Sequence, residues 1–167
     1  MAGIVYYEEG ATGGWGAKGA VGMDLKADFE VVLDLANRTL FTRMTGLFSE
    51  ADMLAWAKQY HEATDRFQGR KHMVIADMRG MKTVHPSIAN IMGAEIGYAR
   101  EHGVVLCAHL SDDTVQRLQA RRVARQNSPD DNVTVDVSSI QEARKVVDEA
   151  RERIDDATSA RSIRLVV

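Results

Sequence analysis

From Phe29 onward the chain alternates short, continuously apolar runs with amphipathic helical patterns, and few folds accommodate that alternation. Val31, Val32, Leu33 and Leu35 form an apolar run, Ala36-Asn37-Arg38 turns the chain, and Thr39 to Thr45 alternates as a second strand. The two read as a hairpin. Ser49 is placed to cap the next helix, with Asp52 as the acid of a capping box. Met53, Trp56, Ala57, Tyr60, Ala63, Thr64 and Phe67 recur at three- and four-residue spacing as its buried face. Gly69 ends that helix, and Met73-Val74-Ile75-Ala76 reads as a fully buried strand. Pro86 opens a helix with the stripe Ile88, Ile91, Met92, Ile96 and Ala99, and Gly103 sits where a left-handed C-cap belongs. Val104 to Ala108 is a further buried strand, and Ser111 is placed to cap a third helix reaching about Asn127. Ser128 to Asp131 is a turn, and Val133 to Val137 a short last strand. Ser139 with Glu142 forms a second capping box, opening a helix with Ile140, Ala143, Val147, Ala150 and Ile154 on one face.

Strands apolar at every position need cover on both faces, which places helices around a largely parallel sheet. The expected fold is therefore α/β: a mostly parallel mixed sheet of about five strands with four helices and a Gly-rich N-terminal extension. Residues 1–28 read as a glycine-rich arm or hairpin, 29–158 as the domain, and 159–167 as a tail, either strand or frayed end. In the arm, Ile4 to Tyr7 fits a short strand before Gly10, Gly13, Gly14, Gly16, Gly19 and Gly22. Lys18 lies among these glycines, but Ala17-Lys18-Gly19 lacks the Gly-Lys-Ser/Thr ending of a phosphate loop, so a flexible arm is expected.

At 167 residues the chain is long enough for one domain with a core of its own. A formal charge of -3 offers no general field for nucleic acid, and no nucleic-acid partner is expected. The lone Cys107 excludes an internal disulfide and a cysteine-rich zinc site, and it fits a reducing compartment. Met1 to Glu9 lacks the basic and long apolar segments of a signal peptide. No apolar run approaches the roughly 20 residues of a membrane span, so a cytoplasmic protein is expected.

The stretch Ile75-Ala76-Asp77-Met78-Arg79-Gly80-Met81, set in this order of elements, resembles the STAS domain of anti-sigma factor antagonists and sulfate-transporter tails. The closer resemblance is to the sporulation antagonist-like branch, from Phe29 to about Ile154. It implies a non-enzymatic regulatory module that binds a protein partner. In the antagonists a loop carries Asp-Ser-Ser-Gly, and the partner kinase phosphorylates its second serine. Counted without a gap from Asp77, Ser87 falls on that position, while His85, Pro86 and Ile88 replace Asp, Ser and Gly. The plainer role for Ser87 is that of a polar residue in a first helical turn.

No nucleophile elbow, dinucleotide fingerprint or His-Glu-x-x-His pair occurs, so no catalytic residue and no cofactor is expected. Among the histidines, His61 and His102 read as solvated positions on polar helix faces. Ligands in parallel sheets bind beyond the strand carboxyl ends. Asp77, Arg79 and His85 follow one strand there, and His109, Asp112 and Asp113 follow the next. If they ring one crevice, an anionic nucleotide or lipid is the alternative ligand; against this, acids such as Asp112 and Asp113 are common at helix starts. No metal is assigned to this set. Arg117, Arg121 and Arg125 form a stripe spaced by four, and Arg122 borders the apolar face of Val115 and Leu118. Such a stripe is either a solvated flank or a recognition surface for carboxylates or phosphates on a partner protein, a nucleotide or a lipid headgroup, and a homodimer is a further possible partnership. Met44, Met53, Met73, Met78, Met81 and Met92 fit core filling or an adaptable pocket, and Cys107 reads as an inert buried thiol.

Overall fold

A computed structural model describes residues 5–6, 26–128 and 132–164 of the chain. Most of the glycine arm with Lys18, the turn residues after Ser128 and the end of the tail lie outside the described residues. The elements are β1 (Val5–Tyr6), β2 (Asp28–Asp34), β3 (Thr39–Thr45), α1 (Glu50–Asp65), β4 (His72–Asp77), α2 (Pro86–Glu101), β5 (Val104–Leu110), α3 (Thr114–Asn127), β6 (Thr134–Val137) and α4 (Ile140–Arg164). The sheet is mixed and mostly parallel, in the order β1-β2-β3-β4-β5-β6, with only β2 and β3 antiparallel. The short segment at Val5–Tyr6 adds itself parallel to β2, so the expected five strands gain an edge strand. The β2–β3 turn is held by Asp34, whose carboxylate accepts from the Asn37 backbone N–H (2.9 Å) and side-chain amide (2.7 Å).

Two cores lie on opposite sides of the sheet. On one side α1 and α2 pack Met53, Trp56, Tyr60, Phe67 and Met92 against Leu33, Leu40, Val74 and Ala76. On the other, α4 sets Ala143, Val147 and Ala150 on Phe41, Met73, Ile75, Ala108 and Leu110. The capping box at Ser49 and Asp52 forms as expected, with both reciprocal hydrogen bonds. At α4 only half of the second box forms: Ser139 Oγ accepts from the Glu142 N–H (3.1 Å). The Glu142 carboxylate turns instead to the backbone N–H (2.7 Å) and hydroxyl of Ser138. With no glycine or proline after Ile140, α4 continues through residues 159–164.

Three details differ from expectation. Asp113, not Ser111, caps α3 by accepting from the Gln116 N–H (2.8 Å), while the Ser111 hydroxyl donates to the Asp113 carbonyl. His61 and His102 are not simply solvated. They sandwich the Tyr98 ring at 3.8 Å on either side, and His61 Nδ1 also meets Glu95 at 3.0 Å, tying α1 to α2. The third is the buried face of α3, which is Gln116, Ala120, Val123 and Ala124, whereas Val115 (64%) and Leu118 (58%) are exposed. Near its end α3 meets α2 at Gly93, where an added Cβ would stand 2.3 Å from the Asn127 amide nitrogen and 3.0 Å from Val123, so no side chain fits at position 93.

His72 opens β4 in full burial, stacked on Phe67 at 4.0 Å, with Nδ1–H donating to the Arg70 carbonyl (2.9 Å). Burial holds this imidazole below its ordinary value. Its unfolded form therefore binds a proton more readily than the native form as pH falls through about 6.5. Native stability is complete above that value and declines below it. Urea midpoints are expected to drop between pH 7.5 and 5.5, with a shallower drop in His72→Leu. A second expectation concerns Gly103, at φ +108 with an added Cβ only 2.6 Å from the Arg70 carbonyl oxygen. Gly103→Ala should cost about 2 kcal/mol or more, combining strain with a backbone clash. Gly69→Ala, at φ +71 with open space around it, should cost only about 1 kcal/mol in the same urea series.

Candidate functional site

The strand carboxyl ends carry polar groups that satisfy one another. Asp77 is buried (2% exposed), and the Arg79 guanidinium grips it with Nε at 2.8 Å and Nη2 at 2.7 Å. That hydrogen bonding raises the Arg79 pKa further above its ordinary value, so the guanidinium stays charged. Asp112 accepts from the Gly80 N–H (2.9 Å), and Asp113 is occupied as the cap of α3. His85 caps α2: its Nδ1 accepts from the Ser87 hydroxyl (2.8 Å) and the Ser87 N–H (3.3 Å). Ser87 is exposed in the first turn.

β4 and β5 are neighbours, as the crevice required, but their register separates the crevice's members. Ala76 stands beside His109 and Asp77 beside Leu110. Successive strand residues face opposite sides, so Asp77 lies on the α4 face and His109 on the α2–α3 face. Asp77 and His109 therefore do not face one crevice, whereas Asp112 stays beside the Asp77–Arg79 pair. Among the described residues no cluster of three or more His, Cys, Asp or Glu could hold a metal.

His109 instead belongs to a second arrangement. It is buried (4% exposed), and its β6 partner in register is Asp136. Nδ1 of His109 meets Asp136 Oδ1 at 3.1 Å, and Arg121 of α3 pairs with the other carboxylate oxygen. The carboxylate oxygen can only accept, so Nδ1 donates this bond and Asp136 fixes which ring nitrogen carries the shared proton. Nε2 has no hydrogen-bond partner. The ring forms part of a cavity between the sheet and the α2–α3 layer, lined also by Val74, Ala76, Met92, Ile96, Cys107 and Ala120.

Tyr60 and Trp56 contribute to the same wall. Burial pushes the Tyr60 phenol far above its ordinary value, keeping it neutral, and the Trp56 indole N–H donates to Thr42 Oγ1 (2.9 Å). Cys107 is half-buried rather than sealed, on the same strand face as His109. Its thiol does not hydrogen-bond Nε2, so the two do not form a nucleophile–base pair. Met78 and Met92 line the cavity, while Met44, Met53, Met73 and Met81 fill the cores elsewhere.

Arg117, Arg121, Arg122 and Arg125 are all exposed on α3, and the last three border an open cleft with Leu118 and Gln126. Their helix is fastened to the loop before α2. Gln119 accepts from the Val84 N–H (3.1 Å) and donates to the Val84 carbonyl (2.7 Å), and Gln116 reaches Met78 Sδ at 3.3 Å.

Asp136 and Gln119 escaped the sequence reading. The alternation Thr134, Val135, Asp136, Val137 in a short strand was the available signal for Asp136, since it sets a lone acid on one face. Comparisons with protein-family models, curated proteins and solved structures give no match. Asp136→Ala leaves a buried imidazole N–H without its acceptor and should cost about 2 kcal/mol. Arg121→Ala, removing a half-exposed cation (52%), should cost less than about 1 kcal/mol when both are measured by urea unfolding.

Proposed function

We propose that this chain is a STAS-like regulatory module that acts by binding a protein partner, with Ser87 as its candidate phosphorylation switch. The observation that carries this reading is the Gln119 clamp on Val84. It fastens the loop that leads to Ser87 onto α3, two segments distant in sequence. A change at Ser87 and the face of α3 then belong to one continuous surface.

That face has the composition of a recognition surface. Val115 and Leu118 lie bare beside Arg117, Arg122 and Arg125, giving apolar contact area together with forks for carboxylates, while Arg121 is held by Asp136. A second copy of the chain is one partner with acids on its surface: α4 exposes Glu152, together with Asp148 and Asp155, which pair with Arg151 and Arg38. A phosphate on Ser87 would sit beside the positive end of α2 and displace the His85 hydrogen bond, altering the surface more than the fold. The alternative of an anionic nucleotide or lipid at the strand ends has less support, because Arg79 and Arg121 are already paired with Asp77 and Asp136. Among the described residues no helix is long and apolar enough to cross a membrane.

The test is affinity capture from the protein's own host, followed by binding with the purified partner. Arg122→Glu/Arg125→Glu is the variant of choice because it spares the Arg121–Asp136 pair. At least a tenfold loss of affinity is expected, with an unchanged circular dichroism spectrum, and Ser87→Asp should alter affinity without altering the spectrum. A partner that binds both variants as tightly as wild type contradicts the reading.

A further inference from the structure

The outward face of α3 carries a linear pattern. Val115, Leu118, Arg122 and Arg125 are spaced by three, four and three, so they fall in one stripe along the helix, about 15 Å long. The inward residues Gln116, Ala120, Val123 and Ala124 lie on the opposite side. Val115 (64%) and Leu118 (58%) are the most exposed large apolar residues among those described. The stripe is thus apolar toward the start of α3 and cationic toward its end.

Its charge is one-sided. From Thr114 to Asn127 the helix holds 4 arginines and no acid, in a chain whose formal charge is -3. Arg121 is taken up by Asp136, whereas Arg122 and Arg125 form no ion pair among the described residues and border an open cleft. Two copies joined through α3 would set arginine on arginine if parallel, or arginine on Val115 and Leu118 if antiparallel, and neither pairing supplies an acid. α4 of a second copy brings acids, but none of its described residues is a large, exposed apolar one. A stripe spaced by three and four is the seam along which one helix packs on another at a shallow angle. A helix lying in a membrane surface instead needs apolar residues along its whole length, and this stripe has two at one end.

We infer that the partner lays an acidic amphipathic helix along this stripe, with apolar side chains on Val115 and Leu118 and carboxylates, one to two turns further on, against Arg122 and Arg125. The partner is therefore a different protein rather than a second copy. The inference rests on the reading of α3 as the partner-binding face, and it adds the shape, the order and the charge of what binds there.

The probe is a stapled helical peptide whose facing positions, spaced by three, four and three, read Leu-Leu-Glu-Glu. Two controls carry Leu-Leu-Lys-Lys and Leu-Glu-Leu-Glu at the same positions. Each is titrated into the whole chain while the arginine Nε–H signals are followed by NMR. The first peptide is expected to shift Arg122 and Arg125 saturably, and to bind at least about tenfold more tightly than the lysine peptide and about threefold more tightly than the alternating one. Arg122→Glu/Arg125→Glu should transfer the preference to the lysine peptide. Val115→Ser/Leu118→Ser should weaken binding about fivefold with an unchanged circular dichroism spectrum. No saturable shift, equal affinities for the glutamate and lysine peptides, or wild-type affinity in Val115→Ser/Leu118→Ser would each overturn the inference. So would tight binding to phosphatidylglycerol vesicles lost in Val115→Ser/Leu118→Ser, which would assign the stripe to a membrane surface. If the partner captured above is lost in Arg122→Glu/Arg125→Glu yet binds Val115→Ser/Leu118→Ser as tightly as wild type, the partner-binding reading stands and the docked helix is overturned.

Discussion

β4 is buried at every position from His72 to Asp77, and its parallel register with β5 decides which side chains meet which helix layer. Between His72 and Met73 the pairing skips Val105, so Met73 stands beside Leu106 and Ala76 beside His109. A slip of one residue reverses every side chain of a strand, so this irregularity matters for everything that follows. With the register as it stands, Met73, Ile75, Ala108 and Leu110 meet α4, and Val74, Ala76, Cys107 and His109 meet the other layer. Burying an imidazole there is tolerable because β6 brings Asp136 opposite it and Arg121 balances the carboxylate.

The contact between α2 and α3 follows from the same economy of space. Gly93 lets α2 approach α3 at Val123 and Asn127, and α3 turns Ala120 and Ala124 inward while Val115 and Leu118 lie outside. Small inward side chains also fill less of the volume beneath the helices, where the cavity lies against Ala120 and Ala124. One orientation of α3 thus sets both the exposed arginine-bordered face and the interior space beneath the helix.

Much of the fold was legible because its signals are local. The order of elements, the Ser49 capping box, Pro86 at the head of α2, the left-handed Gly103 and the buried stripe of α1 all depend on residues near one another in sequence. The candidate site was legible only in part. His109 and Arg121 stood out by type, yet their grouping with Asp136 depends on cross-strand register. In strands apolar on both faces, hydrophobicity carries no record of which face is which, so Asp77 and His109 read as neighbours although they face opposite layers. The face of α3 was misread as well: Val115 and Leu118 are among its larger apolar residues, but the helix turns Gln116, Ala120, Val123 and Ala124 inward.

The central claim is that the β5–β6 register sets Asp136 beside His109 and holds the proton of this buried ring on Nδ1. The most direct measurement is the pair of imidazole ¹⁵N chemical shifts of His109, in protein labelled at its 5 histidines and free of added ligand at neutral pH. A protonated Nδ1 with a bare, pyridine-like Nε2 is the expected result. A ring protonated on Nε2 with a bare Nδ1 would contradict the account, since the Asp136 hydrogen bond would then be absent.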